Sequence, residues 1–506
     1  MMNKLTVTTY AKEKGGRVSV LFLLFLLAMY ELVTAGLPVF AAICLLPLVI
    51  VFVVSTFRQS MLIFWILIVV NFFIMWHGMY VPIPLSLPNE MLEILLLVLA
   101  IIDVQNSKFE RALNLMLLGI LLWVALCVLE VLNDTCGIGI DVGAWYTTAR
   151  SLAFQILYAF LIFSIYISSP QRLHKYMVVW GCLALLSAFW IWKQKYMSLT
   201  PKESSWLFGA GSLTHVLQGG TLIRYFSFYN DAANCGIGTA STAVAFLIFG
   251  ITAKIKKYKY FFLITGLASV WAVFPSGTRT AIVCLAAGIM AYVFLSKSIK
   301  IAVPVITVFS IFAFILAFTT IGNGNQQIRR MRSAFDKNDA SANVRSINQA
   351  AMKKYLAEAP WGIGMAVGFR NVPANNKYTF MATVAPDSEY VFIWIHTGVI
   401  GLTVFIISTI IMVFGACRIV FFVLKSPSLR GIGAGFCCAM ISQQLGGYGN
   451  QVLMQFPNCL IFYGGLAIVY VLPYLEKDWI VYEEEQLALE AEKKRLKLAK
   501  KEAKRV

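Results

Sequence analysis

Arginine and acidic residues stand at several points where a long apolar run of this sequence begins. Arg279 follows a Pro-Ser-Gly break in FPSGTRTAIV, and Arg224 comes shortly before the run that follows FSFYNDAAN. Asp387 and Glu389 open another run, in APDSEYVFIWIHTGVIGL. Guanidinium groups hold anions through charge-assisted, often bidentate hydrogen bonds, and a carboxylate is a candidate general base. These residues would suit an anionic ligand bound next to a hydroxyl that must lose its proton.

The composition indicates that these residues sit in a membrane protein. Of 506 residues, 59% are hydrophobic and only 13% are charged, which is too little charge for a soluble surface. The first apolar stretch has no small-residue cleavage site after it, so we expect a retained helix rather than a signal peptide. The net charge of +18 is explained by basic loops at anionic lipid, and we expect no nucleic-acid partner.

Apolar stretches of membrane-spanning length recur along most of the chain. They predict an all-α polytopic membrane protein with about 12–14 transmembrane helices. The predicted spans are 18–35, 37–57, 60–77, 90–104, 112–132, 150–168, 174–193, 232–252, 259–275, 279–296, 300–320, 389–416, 429–447 and 455–474.

The lysines and arginines of the short loops set the predicted orientation, with both termini in the cytoplasm. The inner loops carry Lys108, Arg111, Arg172, Lys175, Lys254, Lys256, Lys257, Lys259, Lys297, Lys300, Arg418, Lys425 and Arg430. This orientation leaves two long outer segments, an outer loop near 194–231 within the helical region 1–320 and a large, partly helical loop at 321–388. Transmembrane helices follow at 389–475, and residues 476–506 predict a charged cytoplasmic helix. Long loops in a compact membrane protein are usually functional.

Several arginines fall on the outer side, where the orientation rule disfavours positive charge. They are Arg224, Arg279, Arg329, Arg330, Arg332 and Arg345. A cluster bordering both outer segments favours an anionic ligand, and a lipid-linked diphosphate is the anion expected at that depth. Within QQIRRMRS we expect Arg332 to be the residue that binds it. Snorkelling to headgroups is the alternative for Arg279, and scattered surface charge is the alternative for the three arginines of QQIRRMRS.

The second outer segment contains further candidates. Residues 344–358 predict an amphipathic helix that carries Arg345 and ends before Pro360. Asp387 is either a simple helix cap or a general base, with Glu389 as the alternative base and Tyr390 beside them. His215 is the one histidine that we expect in the binding site. No HExxH, paired-cysteine or Asp-x-Asp pattern is present, so we predict neither a metal nor a cofactor.

Four motifs in register, FSFYNDAANCG, SGTRTA, VRSINQA with APWGIGMAVG, and PDSEYVFIWIHTGVIGL, resemble the O-antigen ligase and O-antigen polymerase superfamily over residues 220 to 410. The resemblance implies a metal-independent, inverting glycosyltransferase of the bacterial inner membrane, similar to the GT-C class. Its donor would be a glycan on undecaprenyl diphosphate at the periplasmic face. Arg224 and Arg279 match the family arginines that hold the diphosphate, and Arg345 matches the loop arginine.

The resemblance departs from the ligases at one position. Ligases typically carry a histidine where this chain has Asp387, whereas polymerases have an acid followed by a tyrosine. The expected function is therefore an O-antigen polymerase, with an acceptor glycan as second substrate. The alternatives are a ligase that transfers the glycan to lipid A core or protein, and a flippase for the same lipid-linked sugar. Phe226, Phe228 and Trp271 are expected to line grooves for the polyisoprenyl chain.

Overall fold

The structure is a computed structural model, and it describes residues 23, 25, 26, 29, 30, 59–78, 86–217, 222–332, 340–370, 372–384 and 386–502. The predicted span at 37–57 and most of that at 18–35 lie outside the described residues. The chain divides into two compact units, Met1–Trp65 and Ile66–Val506. In the first unit, the described residues near position 25 are helical.

From residue 59 onward the described chain is almost entirely helical. The first helices are α1 (Ser60–His77), α2 (Ser86–Ile102), α3 (Leu115–Leu129), α4 (Val142–Ala149), α5 (Gln155–Tyr166), α6 (Pro170–Tyr196), α7 (Pro201–Phe208) and α8 (Ser212–His215). They are followed by α9 (Ala232–Thr252), α10 (Lys256–Val273), α11 (Arg279–Leu295), α12 (Ile299–Phe318), α13 (Gln326–Arg332), α14 (Ala340–Leu356), α15 (Thr379–Thr383), α16 (Glu389–Arg418), α17 (Pro427–Gly449) and α18 (Asn458–Glu502). Two short strands, β1 (Val216–Leu217) and β2 (Leu222–Ile223), pair antiparallel between α8 and α9.

The predicted fold class is confirmed, because the described chain is all-α with helices of membrane-spanning character. Six helical stretches are long and apolar enough to cross a membrane, and two shorter apolar helices accompany them. The six are Leu115–Leu132, Val142–Tyr166, Pro170–Tyr196, Ala232–Thr252, Glu389–Val423 and Asn458–Leu496. A helix also lies at every predicted span from residue 60 onward. Helices satisfy every backbone hydrogen bond internally, which a bilayer requires of a spanning segment.

The helix α9 is the central element of the second unit. It packs against α10, α11 and α17, and most of its side chains are buried. Its sequence is rich in glycine, alanine, serine and threonine, which let neighbouring helix backbones approach closely. At Gly236 the approach is so close that an added Cβ would lie 2.8 Å from the Cβ of Thr278. The first turn of α9 is therefore fixed against the turn that precedes α11.

Two predicted elements differ in extent from the structure. The amphipathic helix expected at 344–358 is α14, which begins earlier, at Ala340, and ends before Pro360 as expected. The charged tail is not a separate helix, since α18 runs without a break from the last apolar span to Glu502. Its acidic residues bind the loop between α9 and α10, where Glu483 pairs with Lys254 at 2.6 Å.

Candidate functional site

An open cavity of about 530 Å³ lies where the first residues of α9, α11 and α16 come together. Its lining residues are largely polar and come from distant parts of the chain. They are Leu213, Thr214, His215, Leu217, Arg224, Asn230, Asp231, Ala233, Thr278, Arg279, Thr280, Arg330, Pro386, Asp387, Asn450, Gln451 and Gln455. The cavity therefore brings together four residues that the sequence singled out as site candidates, Arg224, Arg279, His215 and Asp387.

Arg224 is held at the cavity wall by hydrogen bonds from its whole guanidinium group. Its Nη1 donates to the Thr214 carbonyl at 2.8 Å, its Nε to the Ser276 carbonyl at 3.2 Å, and its Nη2 to the Thr278 hydroxyl at 2.9 Å. Burial lowers the pKa of Arg224 to about 10, and the nearby charges of Arg330 and Arg279 also lower it. The guanidinium still carries its charge at neutral pH, in a fixed orientation.

The Pro-Ser-Gly break is a tight turn that joins α10 to α11 and presents Arg279. Gly277 has a φ of +59°, a left-handed conformation that glycine adopts without strain. A Cβ at this position would also lie only 3.0 Å from Cγ of Arg224. Arg279 follows as the first residue of α11. There the positive end of the helix dipole and the guanidinium charge both favour a bound anion.

A third arginine completes the positive wall of the cavity. Arg330, on α13, donates from Nε to the Gly277 carbonyl at 2.7 Å, and it lines the cavity with Arg224 and Arg279. Of the three closely spaced arginines in QQIRRMRS, Arg332 was the one expected to bind the ligand. Arg332 donates to the backbone carbonyls of Thr319 and Ile321 and lies outside the cavity lining.

The remaining positive candidate is Arg345, which lies on α14 in the large loop between α12 and α16. Only its backbone position on that helix is described. Residues 333–339, which connect α13 to α14, lie outside the described residues.

The three acidic and phenolic candidates at the start of α16 occupy different environments. Asp387 is exposed and is one of the residues that line the cavity. Glu389 is buried, and its Oε2 accepts a hydrogen bond of 3.1 Å from the backbone N–H of Leu453. The Tyr390 hydroxyl donates to Oε1 of Gln444 at 2.9 Å. Neither Glu389 nor Tyr390 is among the residues that line the cavity in the described part of the chain.

His215 is buried at the base of the cavity as a neutral ring. Its Nε2 accepts a hydrogen bond of 2.9 Å from the backbone N–H of Ala232, the first residue of α9. Burial lowers the pKa of His215 to about 4, and the charge of Arg224 also lowers it. The His215 carbonyl accepts from the Arg224 backbone N–H at 2.9 Å. His215 therefore connects the start of α9, through its ring, to Arg224, through its backbone carbonyl.

A buried carboxylate holds in place the segment that carries His215 and Arg224. Oε1 of Glu203, on α7, accepts from the indole nitrogens of Trp76 and Trp190 and from Nε2 of Gln194 at 2.9 Å. Oε1 of Gln194 in turn accepts from the backbone N–H of Ser227 at 3.0 Å. This network connects α1, α6 and α7 to the segment just after Arg224.

Three amide side chains that were not predicted also line the cavity. Asn450, Gln451 and Gln455 come from the connection between α17 and α18. Nδ2 of Asn230 donates to Oε1 of Gln455 at 2.9 Å, which connects this loop to the start of α9. The amides of GNQVLMQFPN cluster between two apolar runs, and this clustering was the one sign in the sequence that the loop could contribute to a polar site.

Among the described residues, no group of three or more histidine, cysteine, aspartate or glutamate side chains is placed to hold a metal ion. The arrangement offers instead three guanidinium groups, several amides and one exposed carboxylate around a space of ligand size. Such a set of donors is suited to binding a di-anionic or tri-anionic phosphate group.

Comparison with known proteins gives one family match. Residues 261–406, from α10 to α16, match the family described as O-antigen ligase. The matched region contains Arg279, Arg330, Arg345 and Asp387, whereas His215 and Arg224 precede it. No curated protein matches the chain. The resemblance to the O-antigen ligase and polymerase superfamily is thus confirmed over this region, which contains three of the four motifs, whereas FSFYNDAANCG precedes it.

Proposed function

We propose that this protein is an O-antigen polymerase that uses an undecaprenyl-diphosphate-linked glycan at the periplasmic face of the bacterial inner membrane. The observation that carries the proposal is the convergence of Arg224, Arg279 and Arg330 on one cavity that also contains Asp387. The guanidiniums would hold the diphosphate of the donor, and the carboxylate would face the acceptor glycan.

The proposed reaction is a direct displacement that inverts the anomeric carbon. Asp387 takes the proton of the acceptor hydroxyl while the oxygen of that hydroxyl forms a bond to the anomeric carbon. The bond from that carbon to the diphosphate oxygen breaks, and its electron pair stays on the diphosphate. Fixed arginines stabilise this growing negative charge, an effect worth about 3 kcal/mol for one well-placed donor in comparable sites. The step requires no metal ion or cofactor.

The surroundings of Glu389 favour Asp387 as the base. The Glu389 carboxylate is buried and bound to the backbone N–H of Leu453, so an acceptor in the cavity does not reach it. Asp387 is exposed on the cavity surface. Glu389 would instead keep the start of α16 attached to the loop between α17 and α18.

A second, apolar cavity supports a lipid-linked donor. It has a volume of about 460 Å³ and lies among α9, α10, α11 and α12. Val273, Phe274 and Ile282 line the end next to the Pro-Ser-Gly turn, and Ile289 and Tyr292 line the far end. A polyisoprenyl chain whose diphosphate lies at Arg279 would enter this cavity directly.

The apolar cavity also corrects an expectation about the lipid-binding residues. Phe226 and Phe228 are buried and do not line it. Phe226 packs at 4.8 Å against Trp206, and Phe228 packs at 5.1 Å against Trp190, with distances measured between ring centroids. These aromatic contacts hold the outer loop against α6 instead of leaving a groove. Trp271 packs in the cluster around Ala272.

The second candidate function is an O-antigen ligase, and the description of the matched family favours it. In that case the same donor would be transferred once, to lipid A core or to a protein. Asp387 stands where the resemblance places a histidine in ligases, and for that reason we favour the polymerase.

Product size distinguishes the two functions. Purified protein is incubated with an undecaprenyl-diphosphate-linked repeat unit, with and without lipid A core, and the glycans are resolved by size. A ladder of repeat-unit lengths on undecaprenyl diphosphate supports the polymerase. One transfer that requires lipid A core supports the ligase, and donor that stays intact under both conditions contradicts both functions.

A further inference from the structure

A second charged cavity lies at the opposite end of the helices from the arginine cavity. Its volume is about 470 Å³, and it lies between the start of α6, the start of α10 and the middle of α18. The helix α9 separates the two sites, since it begins at the arginine cavity and ends at the loop before α10. Its length of 21 residues corresponds to about 30 Å, the thickness of a bilayer core.

The wall of this cavity contains a buried histidine whose hydrogen bonding is incomplete. His174 has only 5% of its surface exposed, and its ring packs on Tyr258 with 3.7 Å between ring centroids. Its Nδ1 lies 3.1 Å from the Tyr482 hydroxyl. Its Nε2 has no hydrogen-bond partner among the described residues. When the Tyr482 hydroxyl donates to Nδ1, Nε2 carries the proton and requires an acceptor.

The charges around His174 favour an acceptor that is an anion. Lys175 and Lys257 line the cavity, and no carboxylate does. Two acidic residues of α18 are engaged by other groups. Glu483 pairs with Lys254, and Glu490 accepts hydrogen bonds from the backbone N–H groups that open α10.

The apolar part of the wall indicates where the anion comes from. Val178 and Phe261 line the cavity one turn further along α6 and α10, toward the membrane-spanning part of both helices. Basic pockets between helices at the cytoplasmic ends of transmembrane bundles are typical binding sites for acidic lipid headgroups. Tyrosines such as Tyr258 and Tyr482 are also enriched at that depth.

We propose that this cavity binds a phosphate group, carried by an acidic phospholipid of the cytoplasmic leaflet. Lys175 and Lys257 neutralise the phosphate, and Nε2 of His174 donates a hydrogen bond to one of its oxygens. The acyl chains lie along Val178 and Phe261. The site is separate from the donor diphosphate site and does not depend on the proposed transfer reaction.

The test compares two lysine pairs of the same region. K175Q/K257Q removes the two charges of the cavity, whereas K256Q/K259Q removes two charges beside it that do not line it. Each full-length protein is purified in neutral lipid, and its retention of phosphatidylglycerol is measured by native mass spectrometry. We expect K175Q/K257Q to bind the lipid about tenfold more weakly and K256Q/K259Q to bind it as the parent protein does. H174F keeps the ring packing and removes Nε2, and we expect weakening of about threefold to tenfold.

A second arm replaces phosphatidylglycerol with inorganic phosphate in neutral lipid vesicles. If inorganic phosphate binds and only K175Q/K257Q weakens that binding, the site is supported but its ligand is a soluble phosphate. Equal losses in the two lysine pairs would mean diffuse surface attraction and would overturn the proposal. Unchanged retention of phosphatidylglycerol by K175Q/K257Q would overturn it as well, provided that the variant elutes from a sizing column at the volume of the parent protein.

Discussion

Nη2 of Arg224 donates a hydrogen bond of 2.9 Å to the hydroxyl of Thr278. The same hydroxyl donates to the carbonyl of Ala232, the first residue of α9, at 2.7 Å. One side chain thus connects an arginine of the outer loop, the first turn of α9 and the residue before Arg279. The relative position of Arg224 and Arg279, the two arginines proposed to hold the diphosphate, depends on this hydroxyl.

Replacing Thr278 with valine should separate Arg224 from Arg279 without removing either charge. We expect the transfer rate at low donor concentration to fall by about tenfold, because one hydrogen bond to a charged group is worth roughly 1.5 kcal/mol or more. T278S keeps the hydroxyl and should retain near-parent activity. Activity is measured as product formed per milligram of folded protein. Equal activity of T278V and T278S would show that this hydrogen bond does not contribute to transfer.

Replacing Gly277 with alanine should disturb the same arrangement from the backbone. The positive φ costs an alanine about 1 kcal/mol, and the new Cβ would press on Cγ of Arg224. Gly137 is a matched control, because its φ is +63° and no atom lies within 4 Å of an added Cβ. We expect both variants to unfold at lower temperature and only G277A to lose transfer activity. A parallel loss of activity in G137A would mean that the effect is one of stability alone.

Asp387 and Glu389 should respond differently to loss of charge. We expect D387N to lower glycan transfer by about a hundredfold or more while the protein stays folded, since the general base is gone. E389Q should keep most of the activity, because an amide oxygen can still accept the Leu453 hydrogen bond. Transfer rates and unfolding temperatures of both variants check this. Loss of activity in E389Q with D387N active would reverse the assignment.

His215 should make the stability of the folded protein depend on pH. Its pKa in the folded protein is about 4, below the ordinary value of 6.5, so the unfolded chain binds the proton more readily. The stability that the neutral ring contributes is present above about pH 6.5 and is lost as the pH falls toward 4. The full difference is on the order of 3 kcal/mol. H215Q should therefore lose less stability than the parent protein between pH 7 and pH 4.5, as measured by thermal unfolding. Identical pH dependence of the two proteins would contradict this role.

Hydropathy was sufficient to predict the long apolar helices from residue 60 onward, because a segment in lipid has few alternatives to a helix. The short helices α7, α8, α13 and α15 lie outside the predicted spans. The end of α18 was not predicted, since no residue marks the point where an apolar helix becomes a charged one. The sequence also predicted that arginines at helix entrances would share a cavity with Asp387. Arg224 and Arg279 lie there because α9 and the turn before α11 pack directly together.

Finer details of the cavity could not be read from the sequence. Successive helical residues point about 100° apart, so the choice between Arg330 and Arg332 depends on how α13 is rotated. Asp387 precedes α16 and is exposed, whereas Glu389 is the first residue of that helix and is buried. The amides of the loop between α17 and α18 carry no spacing that indicates which helix entrance they approach.

The most direct test of the central claim is glycan transfer by R279A compared with R329A. Both variants lose one arginine of the same outer region, but Arg279 lines the cavity and Arg329 donates to the Asn323 carbonyl outside it. With purified, folded protein and an undecaprenyl-diphosphate-linked repeat unit, we expect R279A to be at least about a hundredfold slower and R329A to match the parent protein. Full transfer by R279A, or an equal loss in R329A, would contradict the diphosphate site.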